Sequence, residues 1–341
     1  MKEILKKLCA PIAVSGDEKN LAQMIRAEVL PYCESVRLDR AGNLICEKKG
    51  KIAPKHKIML AAHTDEVGFI ITHITEGGLL KFTTVGGIDA RILPAKQVTI
   101  CARKPVYGVI GIVPTHLLSG EAKTSVISEE NLYIDIGAES RKAAEELVSL
   151  GDEGTLSGDF TKLGDGHILA RALDDRCGCA ALIKLLQSEV PCDITVCFTV
   201  QEEIGCRGAH MVTETVAPDI AIVIDSTTAC DIQDVTYDKS VCNLGKGGVV
   251  SFMDRGCIYD KELFNIIMKT AKESGIAAQE KRAVAGANDS AAIHKLCGGV
   301  RTAAVSIPCR YLHTPACVIK YSDLEAVYDL VSAILPRFAQ L

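Results

Sequence analysis

The sequence predicts an α/β protein: a mixed sheet flanked by helices, interrupted by a small inserted β-barrel-like unit. Three observations predict it. Short continuous apolar runs end in acids or histidines, helical patterns lie between those runs, and one internal stretch of about a hundred residues reads as short strands and turns. With 341 residues the chain is longer than one core of ordinary size, which suits a parent domain with a large insertion.

In chain order, the amino terminus MKEILKKLCAPIAVSGDE breaks its apolar run at Lys6 and Lys7 and meets Pro11 before a signal-peptide core forms, so secretion is not expected. Residues 17–30 carry Leu21, Ile25 and Val29 on one helical face, with Asp17 as the expected N-cap. Segment 57–62 is a buried-strand run that delivers His63, Thr64 and Asp65 at its carboxyl end. Residues 67–164 contain FIITHIT, KQVTICA and YGVIGIV between Gly-rich turns, with one helix near RKAAEELVSL, and form the expected insertion. The parent domain, residues 1–66 and 165–341, then resumes. Its strands are 194–200, leading into Glu202 and Glu203, 220–224, leading into Asp225, and 302–307, leading through Pro308 to His313. Helical patterns at 176–189, 260–274 and 288–297 separate them, and in such sheets ligands bind beyond the carboxyl ends of the strands.

Composition narrows the function. Charged residues are 24% of the chain and the net charge of -5 is spread along it, without a basic stripe, so nucleic acid and anionic membrane are poor partners. No apolar run approaches the roughly 20 residues of a membrane-spanning helix. The 15 cysteines are odd in number and scattered, which argues against a disulfide framework and for a reducing cytoplasm. Packing is their expected role, since Cys177 and Cys179 lack the spacing of a zinc knuckle.

The groups that fall at strand ends are His63, Asp65, Asp174, Asp175, Glu202, Glu203, Asp225 and His313. Oxygen and nitrogen ligands of this kind suit zinc, cobalt or manganese. Several carboxylates side by side repel one another, and a pair of divalent ions resolves the repulsion. Two ions need a bridging carboxylate and a separate base, and of the adjacent acids Glu202 and Glu203 one can ligate while the other works as base. Which does which is open at this level. Asp65, two residues after His63, is placed to hold the imidazole.

Each part alone has an ordinary explanation. Paired acids cap helices or sit on turns, and a single histidine after a strand is as often a buried structural residue. Coincidence of all of them at one sheet edge favours a metal site. His56, His73, His116, His167, His210 and His294 have no such partners and are expected to be structural. The Gly-rich stretches at 77–87 and 245–248 do not open helices after strands, and no G-x-S-x-G elbow surrounds Ser119 or Ser157.

These residues resemble the M42 metallo-aminopeptidases, the glutamyl or tetrahedral aminopeptidases, some of which carry a cellulase-like label. The resemblance runs almost end to end on AAHTDEVGFI (61–70), YIDIGAES (133–140), ARALDDRCGC (170–179), VQEEIGCRGA (200–209), VIDST (223–227) and SIPCRYLHTP (306–315). It implies the co-catalytic metallopeptidase fold and two divalent ions, zinc or cobalt. Asp174 would bridge them, His63 and Asp225 would complete one site, and Glu203 and His313 the other. Glu202 would be the general base on a metal-bridging water, and Asp65 the orienter. It also implies an unusual, cis Asp174–Asp175 bond, short peptide substrates, and an inserted domain serving dimer contacts in a homo-oligomer that can reach a tetrahedral dodecamer. AGANDSAAIH (285–294) and GKGGVV (245–250) depart from the family pattern and are expected near the substrate pocket.

The expected activity is removal of N-terminal residues from short peptides. Glycoside hydrolysis fits poorly, because the chain has no Trp and 4% aromatic residues for sugar platforms. Other amide hydrolysis and an inactive metal-stabilised scaffold are the remaining alternatives.

Overall fold

The four apolar runs that end in acids and histidines become the centre of an eight-stranded mixed sheet. The computed structural model describes residues 1–120, 125–236 and 239–341. Helices Lys2–Leu8 (α1) and Lys19–Val29 (α2) precede Ser35–Leu38 (β1), Leu44–Lys48 (β2) and Ile58–His63 (β3). Gly68–Ile74 (β4), Leu80–Val85 (β5), Gln97–Ile100 (β6), Val106–Gly111 (β7), Tyr133–Asp135 (β8) and Glu153–Leu156 (β9) follow, with Arg141–Glu145 (α3) between the last two. Thr161–Leu163 (β10) and His167–Ala170 (β11) lead to Leu173–Leu186 (α4), Ile194–Thr199 (β12), Arg207–Val216 (α5) and Ile220–Thr228 (β13). Gly248–Val250 (β14), Lys261–Ser274 (α6), Ala278–Glu280 (β15), Ser290–Ile293 (α7), Arg301–Cys309 (β16), Cys317–Lys320 (β17) and Tyr321–Phe338 (α8) complete the chain.

The large sheet has the order β1-β2-β12-β3-β13-β16-β14-β15. Its centre, β12-β3-β13-β16, is parallel throughout, so four carboxyl ends converge on one edge. Strand β3 shows why its run is continuously apolar: Ile58, Leu60 and Ala62 pack on one face with α1, α2, α4, α6 and α8, whereas Met59 and Ala61 pack on the other with α5 and α7. Strands β10, β11 and β17 make a separate small sheet.

Strands β4-β5-β8-β7-β6-β9 close into an antiparallel barrel. Its interior holds Phe69, Ile71, Leu80, Phe82, Val98, Ile100, Ile110, Ile134 and Leu156, and Phe69 and Phe82 meet edge to face at 5.6 Å. Glu66, just before the barrel, is clamped by Arg171 and by Arg176, whose Nη2 lies 3.1 Å from Glu66 Oε1. The same guanidiniums donate to the backbone carbonyls of Leu8, Cys9 and Pro11, which fixes the end of α1 to the start of α4.

Two expectations need correction. The N-cap of α2 is Glu18 and not Asp17, because the Asp17 N–H closes a turn on Val14 O, and the Glu18 carboxylate accepts from Gly16 N and Gln201 N instead of capping the helix. The pattern at 288–297 yields only the single turn of α7: Asn288 Oδ1 accepts from Ser290 N at its start, and Cys297, Gly298 and Gly299 adopt positive φ at its end. Helices α1, α5 and α8 are additional to those expected.

Candidate metal centre

Five ligand-type side chains reach one point from the carboxyl-terminal parts of four parallel strands and a helix start, although β13 runs on to Thr228 and does not end at Asp225 as expected. His63 closes β3, Asp225 lies within β13, Glu203 follows β12, and His313 follows β16. Asp174 comes from the first turn of α4, where Ala172 is left-handed and Asp174 and Asp175 leave helical geometry. The Asp174–Asp175 peptide bond is cis. Asp175 folds under the turn, its Oδ1 accepting from Gly178 N at 2.9 Å. A Cβ at residue 178 would meet both Asp175 carboxylate oxygens, at 2.3 and 2.7 Å, so the turn requires the glycine of DDRCGC.

Asp174 faces two ways. Its Oδ1 is 3.2 Å from His63 Nε2 and its Oδ2 is 3.3 Å from His313 Nε2. His63 Nε2 is also 3.7 Å from Asp225 Oδ1, and His313 Nε2 is 3.3 Å from Glu203 Oε2. Two triads result, His63–Asp174–Asp225 and Asp174–Glu203–His313, each with its ligand atoms within 4.8 Å of one another.

The far nitrogens of both imidazoles are occupied. His63 Nδ1 donates to the Asp65 carbonyl at 3.1 Å and lies 3.5 Å from the Asp65 carboxylate, while His313 Nδ1 donates to Gly87 O at 2.8 Å. Each Nε2 is thereby free to face a cation. The fully buried Asp65 also accepts from Glu202 N at 3.0 Å, Glu203 N at 3.1 Å and Ser15 Oγ at 2.6 Å.

The electrostatics are unbalanced. Burial, with Asp174 close by, pushes Asp225 up to about 7 and Glu203 up to about 8, and burial lifts Glu202 well above the ordinary range. Burial opposes charge on His63, but Asp174, Asp225 and Asp65 together hold its pKa well above normal, and His313 rises to about 10 in the same way beside Asp174 and Glu203. Glu203 Oε1 is buried without a partner. A set of buried acids with an orphaned oxygen and outward-facing imidazole nitrogens fits divalent cations, which supply the missing charge and the missing partner.

The triads open into a cleft of about 630 Å³. Glu202, Lys281, Cys206, Tyr311 and Ala285–Asn288 line it. AGANDSAAIH thus contributes to the wall. GKGGVV does not line this cleft: Gly245 N and Gly247 N donate to the Asp323 carboxylate at the start of α8. Ser15 and Glu18 support the site without a sequence signal of their own, Lys281 follows the short strand β15, and Asp289 lies in the AGANDSAAIH segment expected near the pocket. Ala172, Gln201, Cys206, Tyr311 and His313 all have positive φ, so left-handed residues occur at or beside three of the five candidate ligands, Asp174, Glu203 and His313.

The family model for M42 glutamyl aminopeptidase matches residues 42–330. The chain belongs to the M42 peptidase family. M42 peptidases are metal-dependent, and the chain is a peptidase acting on amino-terminal residues. Among its relatives, the lysyl aminopeptidase of Pyrococcus furiosus is 33% identical over 98% of this chain and 96% of its own length. An aminopeptidase of the archaeon Desulfurococcus kamchatkensis has a solved structure with TM-score 0.94 and 30% identity, covering 99% of this chain and 96% of that one. The TET1 peptidase of Pyrococcus horikoshii, which can assemble into a tetrahedron or a large octahedral shell, matches with TM-score 0.86 and 35% identity over 98% of both chains. This M42 member shares their architecture, and among the described residues no helix is long and apolar enough to cross a membrane.

Proposed function

We propose that the chain is an aminopeptidase using two divalent ions, zinc or cobalt, one held by His63, Asp174 and Asp225 and the other by Asp174, Glu203 and His313. One observation carries the reading: Asp174 presents one oxygen to each of two histidine–carboxylate pairs. Bound there, the ions would polarise the scissile carbonyl, acidify the attacking water and stabilise the developing oxyanion. Glu202, in neither triad and lining the cleft, takes the proton from the attacking water and returns it to the leaving amine. Asp65 fixes the His63 ring and, through its bonds to the Glu202 and Glu203 amides, the path of the loop that carries both acids.

Short peptides are the substrates that a cleft of this size suits. Segment 67–164 is read as an insertion serving contacts within a dimer-based homo-oligomer, with its last strand, β10, returning to pair with β11. The exposed apolar residues Tyr107, Val109, Val113, Leu117 and Val126 support that role, because apolar surface is costly to leave in water. A cytoplasmic location agrees with the free cysteines.

Replacing Glu202 by Gln tests the base. Turnover is expected to fall by about 10²–10⁴-fold with two metal equivalents retained. Near-normal turnover in that variant would remove Glu202 from the role.

A further inference from the structure

Beside the two triads lies a third group with ligand chemistry of a different kind. Gly205 at φ 113° and Cys206 at φ 53° turn the chain so that the Cys206 thiol sits on the cleft wall, with Sγ 3.5 Å from Glu202 Oε1. Asp289 completes the group, and one ligand atom from each of the three residues lies within 4.8 Å of the others. Asp289 is 1% exposed; its Oδ2 accepts from Thr199 Oγ1 at 2.6 Å, and its Oδ1 is buried with no partner.

We propose that Cys206, Glu202 and Asp289 form a third cation site, selective for thiophilic divalent ions, whose occupation inhibits the peptidase by capturing Glu202. The inhibition rests on the reading of Glu202 as base, whereas the binding does not. Zinc bonds of about 2.3 Å to sulfur and about 2.1 Å to oxygen give a tetrahedral S–O edge of about 3.6 Å. The observed 3.5 Å between Cys206 Sγ and Glu202 Oε1 already matches that edge. A cation there would add a partner for the Asp289 carboxylate, whose Oδ1 has none, and water would take the fourth position. Because a thiolate is soft, the site favours zinc, cadmium or cobalt over magnesium or manganese, in contrast to the sulfur-free triads. As the sulfur–metal bond forms, the thiol proton leaves to solvent, so binding strengthens with pH.

Titrating the metal-free full-length protein with Co²⁺ tests this. Three equivalents are expected to bind, with a thiolate-to-cobalt charge-transfer band growing at the third, since neither triad contains sulfur. Cys206→Ala is expected to bind two equivalents without the band. Asp289→Asn, which keeps the thiol, is expected to weaken the third equivalent by at least about tenfold. The zinc concentration that half-inhibits each variant, relative to its own uninhibited rate, is expected to rise in parallel. Saturation at two equivalents in the wild type, or a band and third equivalent that persist in Cys206→Ala, overturns the site. A third equivalent that binds through Cys206 without inhibiting overturns the captured-base part. Normal turnover in Glu202→Gln is a separate failure, that of the proposed base.

Discussion

Asp65 joins three parts of the site through one carboxylate: the His63 ring, the amides of Glu202 and Glu203, and the Ser15 hydroxyl. An amide at this position removes the charge and leaves only one of the two oxygens that accept from the Glu202 and Glu203 amides. Asp65→Asn is expected to weaken metal affinity and lower kcat/KM by about 10–100-fold, measured by metal titration and peptide turnover. Unaltered metal affinity would mean that His63 needs no such support. The residue-scale features readable from sequence were those placed by strand ends, His63, Asp225 and the Glu202–Glu203 pair, because an apolar run stops where a sheet edge meets polar space. Ser15 sits on a turn and Glu18 at a helix start, while Lys281 follows a strand of only three residues, so nothing in their local pattern announces the cleft. Cys206 looked like one more packing cysteine, and only its left-handed backbone beside Gly205 turns the thiol toward Glu202.

Among the elements, β9 carries an acid with a pH signature. Burial, then the nearby Asp17 and Glu18, lifts Glu153 to about 7, and its Oε2 is buried without a partner. A carboxyl that holds its proton more tightly folded than unfolded stabilises the fold at low pH. That stability fades as pH rises from about 4.5 through about 7. Glu153→Gln removes the penalty, and its unfolding midpoint is expected to exceed the wild type's at pH 8 but not at pH 4. The gain at pH 8 is about 1 kcal/mol once solvent screening is allowed for. An equal effect at both pH values would show that the charge is not the cause. The central strands were readable because β3, β12, β13 and β16 are buried on both faces. The apolar pattern at 288–297 implies a longer helix than the one-turn α7, because it does not show that Asn288 Oδ1 takes Ser290 N or that the chain turns left-handed at Cys297, Gly298 and Gly299.

On the scale of the whole molecule, the site belongs to both the sheet and the barrel segment. Gly87, beyond β5, holds the His313 ring through its carbonyl, and a Cβ at Gly86 would come within 3.3 Å of Glu203 Cβ. The barrel strands are visible in sequence as a change of rhythm from long apolar runs to short strands and turns, but the contact of this segment with His313 is not, because a backbone carbonyl leaves no trace in residue type. The charge imbalance is also visible only at this scale: buried acids from α4, β13, the end of β12 and the loops meet two histidines, and the two proposed divalent ions would restore the balance. The most direct measurement is mass-spectrometric identification of the products from short peptides with free and with N-acetylated amino termini, using protein stripped of metal and then reconstituted with zinc or cobalt. Single residues are expected from the amino end of free peptides alone, with turnover lost on stripping and restored by the metal. Internal cleavage, equal hydrolysis of the acetylated peptides, or undiminished turnover in the stripped protein would contradict this expectation.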